Sequence, residues 1–188
     1  MASGSRYRAD LLGRLQLPFL IITPDLDESA LTNEAPAQTA MRLSIAKAEA
    51  IAQHHPGSLV IGSDQVADLS GASIGKPGTA AAARAQLHAM RGRTLVFHSG
   101  LALVNADTGA VQSRVVASSV TFRNLTDDEI EHYLQRENAL DCAGSAKSEG
   151  LGIALIAAIK SDDPTALIGL PLIALADMLR TEGLGILA

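Results

Sequence analysis

The sequence predicts an α/β protein built on a mixed, twisted β-sheet with flanking helices. Strand-like apolar runs alternate with segments of helical spacing, a long hairpin pattern interrupts that alternation, and the apolar residues are nearly all aliphatic. The 188-residue chain is 47 % hydrophobic and 3 % aromatic, with no Trp, so Leu, Ile, Val and Ala must form the core. This is about one domain's length and buries a sizeable core.

Each element follows from local pattern. Residues 6–16, "RYRADLLGRLQ", place Leu11, Leu12 and Leu15 on one helical face, and "LPFLII" reads as a short strand. Pro36 suits the first turn of a helix running to about His54, with Met41, Ile45, Ala48 and Ile51 at roughly helical spacing. "SLVIGSDQVADL", residues 58–69, reads as a buried strand with a carboxylate, Asp64, at its end. "LSGAS" is a turn, and Thr79 caps a helix whose inward face includes Leu87 and Met90. "TLVFHSGLALVN" and "AVQSRVVASSVTF" flank "ADTG" as an antiparallel hairpin. Thr126 with Glu129 three residues later is a capping box for a helix to about Arg136, and a last helix runs from near Pro171 to before Gly183.

Charge and cysteine content narrow the function. A net charge of −5 with both signs interspersed argues against a duplex nucleic-acid partner, which needs a clustered basic face, and favours a small ligand. One cysteine, Cys142, excludes an internal disulfide framework and fits a reducing, cytoplasmic compartment. There is no run of about 18 apolar residues and no signal-peptide pattern, so no membrane partner is expected. Cys142 reads as a small buried residue, and the five histidines show no ligand spacing.

Several polar residues have no evident role in local structure. "ASGSRYR" sets Ser3, Ser5 and Arg8 where the first helix starts, a turn able to bind phosphate or simply to cap a helix. "GKP" holds Lys76 between a glycine and a proline, as a phosphate partner or an exposed turn lysine, and Lys47 among alanines has the same two readings. Glu34 before Pro36 complements a helix dipole; if close to Asp64, the two carboxylates would suit Mg²⁺ or Mn²⁺. Asp64 is the hardest to explain structurally, because a buried carboxylate is costly unless paired or coordinated. "CAGSAKSEGLGI" is a Gly/Ser loop with Lys147 and Glu149, whose acid could accept hydrogen bonds from a purine edge.

Taken together, "SGSRYRADLL", "LDE", "NEAP", "AKAEA", "IGSDQV", "GKP", "MRGRTLVFHSGLALV", "CAGSAKSEGLG" and "LIGLPL" resemble, in order and over nearly the whole chain, the Maf family of nucleotide pyrophosphatases. "SDQV" and "AGSAKSEG" look like the branch that hydrolyses 7-methyl-GTP. Arg6 stands where the family pattern has Pro, adding a charge to the turn. The short apolar strand that precedes the Ser motif in the family has no counterpart ahead of Ser3, so either the start is truncated or the sheet lacks a strand beside that turn.

The resemblance implies one domain over 1–188, two lobes around a cleft, a divalent metal and hydrolysis of the α–β phosphoanhydride bond to a monophosphate and pyrophosphate. By position it implies Asp64 as the proton acceptor that activates water, Ser3, Ser5, Arg8, Lys47 and Lys76 on the triphosphate, and Glu34 with Asp64 at the metal. Tyr7, Gln65 and Glu149 fall where base specificity is set, and a homodimer is a family-level expectation. Two other readings stay open: a nucleotide-binding regulator of cell division without turnover, and a pyrophosphatase for dTTP or UTP. Intact Asp64, Lys47 and Lys76 disfavour the first and "SDQV" the second.

Overall fold

A computed structural model describes residues 1–187. Five helices surround one five-stranded sheet. The helices are α1 (Arg6–Gly13), α2 (Pro36–Ala52), α3 (Ala80–Met90), α4 (Asp127–Arg136) and α5 (Leu172–Thr181). The strands are β1 (Leu59–Leu69), β2 (Ala72–Ile74), β3 (Thr94–Asn105), β4 (Val111–Phe122) and β5 (Ile156–Ser161), in the order β2-β1-β3-β4-β5. All strand pairs are antiparallel, and the parallel component is confined to isolated bridges from Ala2 to Ile22 and Gly62. Ahead of Ser3, Ala2 borders β1, its N–H donating to Ile61 O at 2.8 Å.

Local signals place most helix ends. Thr79 accepts from Ala82 N to start α3, and Thr126 with Glu129 closes the capping box of α4. Ser5 caps α1, which ends at Gly13 rather than residue 16, since Gln16 turns to a φ of 55°. "LPFLII" is not a strand: Pro18 has no N–H for a ladder, Ala2 lies between Ile22 and β1, and Phe19, Leu20 and Ile21 are exposed.

Two of the three apolar clusters form lobes joined by the long strands, and the third, with Ala48, Ala52, Val60 and Val104, seats α2 on the sheet. Ala67 and Leu69 of β1 with Leu95 and Phe97 of β3 pack with Leu87, Met90, Ile130 and Tyr133 of α3 and α4. At the other end of the same strands, Ile61, Leu101 and Leu103 pack with Leu11 and Leu12 of α1 and Leu175 and Leu179 of α5. Burying each such leucine contributes about 1.5–3 kcal/mol. Between the lobes β1 carries Ser63-Asp64-Gln65 and β3 carries Ser99-Gly100, a polar waist paired in register as Asp64↔Gly100 and Gln65↔Ser99. Asp64 is therefore in the middle of its strand and not at its end, because the pairing with β3 continues through Asp68↔Val96.

α2 crosses this waist with its backbone almost on the sheet. A Cβ at Gly62 would fall on the Ser44 carbonyl oxygen and lie 2.8 Å from Ala48 N; one at Gly100 would fall on Ala40 O and Ser44 Oγ. The face turned to the sheet is consequently Thr39, Ala40, Leu43, Ser44, Lys47 and Ala48, with Met41, Ile45 and Ile51 only partly buried. That corrects the helix face expected from hydropathy, since close backbone approach selects small residues over large apolar ones. Gly100→Ala is expected to lose about 1–3 kcal/mol by overpacking, read as a lower urea midpoint; an unchanged midpoint would refute the close approach.

Candidate functional site

A cleft of about 1330 Å³ opens between the lobes at the polar waist, and Asp64 lies on its wall. Lys47, 4 % exposed on α2, points at β1 and sets its Nζ 2.6 Å from Asp64 Oδ1 and 3.0 Å from Glu28 Oε1. Asp64 itself is 8 % exposed, and its backbone N–H donates to Ser44 Oγ at 2.9 Å, which ties β1 to α2. Such a buried pair holds because both charges are matched. Asp64 Oδ2 makes no hydrogen bond and is not sealed from the cleft, which leaves one carboxylate oxygen free to take a proton.

One end of the cleft is cationic. Ser3 is buried, and its Oγ accepts from Ser5 N at 3.2 Å and Arg8 Nη1 at 3.3 Å. Arg8 Nε donates to Gly169 O at 2.9 Å, so the guanidinium is aimed by the loop before α5. Gly169 has a φ of 120°, a conformation side chains rarely adopt, and this turns its carbonyl to Arg8. Desolvation lowers the Arg8 pKa against the opposing pull of Asp64 and Glu28, yet the group stays charged. Lys76 is exposed on the loop between β2 and α3, lines the cleft and makes no ion pair among the described residues.

The other end is aromatic and mixed in charge. The Tyr7 ring carries Lys147 Nζ at 5.4 Å and Arg6 at 5.8 Å from its centroid. Lys147 is also 3.7 Å from Glu137 Oε1, and Glu149 is exposed on the same loop, lining the cleft. Gln65 donates its amide to Ser99 Oγ and to the carbonyls of Ala166 and Leu167. Cys142 lies here too, but burial and Asp141 push its thiol up to about 11, so it is inert as a nucleophile at neutral pH.

Nine of the ten residues singled out from sequence thus line one cleft. Glu34 does not. Its carboxylate takes two bonds from Arg42, at 2.6 and 2.8 Å, and one each from Thr39 Oγ1 and Leu31 N, which fastens the segment entering α2. The acid that does reach Lys47, beside Asp64 on the same ammonium, is Glu28, whose only trace in the sequence motifs was the segment "LDE". Ser99 and Glu137 were also missed, because only cross-strand register and loop folding bring them to the site. Among the described residues no three His, Cys, Asp or Glu side chains gather to hold a metal unaided.

The family described as "Maf-like protein" matches residues 1–182. A protein of Aromatoleum aromaticum named 7-methyl-GTP pyrophosphatase is 59 % identical over 184 residues, covering 98 % of this chain and 95 % of its own. Proteins of the same name from Cupriavidus metallidurans and Polaromonas sp. are 58 % and 56 % identical, with 97 % and 100 % of this chain covered and 92 % and 86 % of theirs.

Two expectations test the site's electrostatics. Lys47→Met strands the buried Asp64 carboxylate and should cost about 3–5 kcal/mol in chemical denaturation, with part recovered in Lys47→Met/Asp64→Leu. Arg42 foremost holds Glu34 down at about 2 from 4.5, so its contribution is complete above pH 4.5 and disappears as the pH falls through about 2. Between these limits the stability of the unmutated protein should fall more steeply than that of Glu34→Gln; parallel curves would remove Arg42 as the cause.

Proposed function

The chain belongs to the Maf family, and from that premise we propose that it is a nucleoside triphosphate pyrophosphatase that hydrolyses 7-methyl-GTP to the monophosphate and pyrophosphate. The observation that carries the reading is Asp64: a buried carboxylate pinned through one oxygen to Lys47, with the other facing a cleft that is cationic at one end.

In this reading the triphosphate lies along the hydroxyls of Ser3 and Ser5, the Arg8 guanidinium, Lys47 and Lys76. Asp64 Oδ2 takes a proton from the attacking water as its oxygen bonds to the α-phosphorus. The bond from that phosphorus to the bridging oxygen of the β-phosphate breaks, and the electron pair leaves with pyrophosphate. Arg8, Lys47 and Lys76 stabilise the charge that gathers there, where preorganised donors act most strongly. Lys47 has a second role, holding Asp64 in place so that only Oδ2 is free to move a proton.

Mg²⁺ or Mn²⁺ fits the donor set. Asp64 and Glu28, both hard carboxylates drawn to one ammonium, are the residues that would hold it, with substrate phosphates completing the oxygen shell. When bound, such an ion supplies charge neutralisation of the phosphates. Glu28 takes the place in this set first expected of Glu34.

At the other end Tyr7 offers a π face that already attracts two cations, and 7-methylguanine is itself a cationic base. Gln65 and Glu149 complete the base contacts. A homodimer is part of the same reading, supported by the exposed apolar edge of β5 at Ala157, Ala158 and Ile159.

The test is product analysis with Mg²⁺ and 7-methyl-GTP, GTP, dTTP or UTP, comparing the unmutated protein with Asp64→Asn. Pyrophosphate should come chiefly from 7-methyl-GTP, and Asp64→Asn should lower kcat by about 10²–10⁴-fold. Tight nucleotide binding with no pyrophosphate from any substrate would overturn the reading.

A further inference from the structure

We propose that Arg42 is a positioning residue that fastens the segment carrying Glu28 to α2, and so keeps the Glu28 carboxylate at the Lys47 ammonium beside Asp64. The inference rests on the reading of Asp64 and Glu28 as the metal-holding pair and adds the group that makes the second of them available.

Glu28 has little else to hold it. Residues 23–30 form neither helix nor strand and are exposed except for Pro24 and Leu26, which are half-buried. Among the described residues this stretch has two polar ties to the rest of the protein: Lys47 Nζ lies 3.0 Å from Glu28 Oε1, and Arg42 Nη2 donates to Ser29 O at 2.9 Å. The bond from Ser29 N to Asp27 Oδ1 is internal to the stretch. The Glu28 side chain is 56 % exposed, and an ion pair so open to water contributes little by itself. Without Arg42, that pair alone would have to offset the entropy of ordering the whole stretch.

The guanidinium is shaped for this task. Nε and one hydrogen of Nη2 form the fork that meets Glu34 Oε1 and Oε2, at 2.6 and 2.8 Å, and the second Nη2 hydrogen remains for Ser29 O. Glu34 also accepts from Thr39 Oγ1 and Leu31 N, so the fork is itself held in one orientation. Arg42 and Lys47 are both on α2, five residues and about 7.5 Å apart along the axis, and they take the neighbours Ser29 and Glu28 respectively. Tying one backbone carbonyl to the helix thereby sets the adjacent carboxylate at the ammonium. A lysine at position 42 keeps the charge but has no fixed fork to hold a carboxylate and a carbonyl together. Glu34, although outside the cleft, acts on it through Arg42.

The experiment compares the unmutated protein with Arg42→Gln, Arg42→Lys, Glu28→Gln and Arg42→Gln/Glu28→Gln at a temperature where the unmutated protein is folded. The readouts are Mn²⁺ affinity from the paramagnetic resonance signal of the free ion, the rate at which a glutamate-specific protease cuts after Glu28, and the thermal midpoint. Both single Arg42 variants should weaken Mn²⁺ binding about tenfold or more and be cut after Glu28 several-fold faster, since cutting reports the open population of the segment. Arg42→Gln should add nothing to the loss of Mn²⁺ affinity caused by Glu28→Gln. A residue that only stabilises the fold would lower the midpoint and weaken Mn²⁺ binding equally in both backgrounds. Such additivity, an unchanged Mn²⁺ affinity, cutting at the unmutated rate, or failure of both single Arg42 variants to fold would overturn the proposal. If the unmutated protein binds no Mn²⁺, it is the metal reading that fails; Arg42 is then judged by the cutting after Glu28 alone, and an unchanged rate overturns the proposal.

Discussion

The close approach of α2 to the sheet is the constraint on which the site depends. Lys47 reaches Asp64 only because Gly62 and Gly100 let the helix backbone sit against β1 and β3, with Ser44 bridging the two by accepting from Asp64 N and donating to Ala40 O. A helix held off the sheet by side chains at these two positions would keep the ammonium farther from a mid-strand carboxylate. Seated this way, the pair is desolvated, and each member fixes the other. The same packing explains why the waist between the two apolar clusters can be polar without collapsing: Ser63, Asp64 and Ser99 all have partners, and no buried side-chain polar atom among the described residues is left unpaired.

A second device aims the side chains that α2 does not touch. Asp163, 2 % exposed, accepts from Thr165 N and Oγ1 and from Ile173 N, which ties the loop before α5 to the N-terminus of that helix. The loop then presents its carbonyls as a template. Gly169 O takes the Arg8 guanidinium, and Ala166 O and Leu167 O take the Gln65 amide. One rigid segment thus sets the spacing between the two halves of the cleft, and rigid supports of this kind keep a constellation in productive geometry.

Legibility in the sequence divides along the range of the interactions. The capping box of α4, the Thr79 cap and the hairpin of β3 and β4 are local in sequence, and each was readable from a few adjacent residues. The inward face of α2 was not, because hydropathy ranks Met41 and Ile45 above Ser44 and Lys47, whereas the glycines that admit the small face lie on other strands. Lys47 had no local sign of burial, and only its partner 17 residues away explains it. Glu34 and Glu28 are both acids ahead of α2; Arg42 on the helix claims the first, leaving the second for the cleft. Residues in the matched segments were found as candidates because several motifs in order outweighed weak single signals. Ser99 sits in one of those segments and was still passed over, since its role depends on register with Gln65.

On the proposed reading, the charge pattern of the cleft would give a preference that neither end would produce alone. A chain of net charge −5 lines the cleft with Arg8, Lys47 and Lys76, yet also with Glu137, Asp141 and Glu149. Burial foremost, with Asp141 adding to it, raises the Tyr7 and Cys142 pKa values, so these groups share one electrostatic neighbourhood. Glu137 pairs with Lys147, which with Arg6 lies over the ring, and Asp141 and Glu149 line the same part of the cleft without an ion pair among the described residues. A neutral base gains little from carboxylates, whereas a cationic base gains from both them and the π face. A purely cationic cleft would bind any nucleoside triphosphate by its phosphates; setting acids at the far end converts the same affinity into a choice of base.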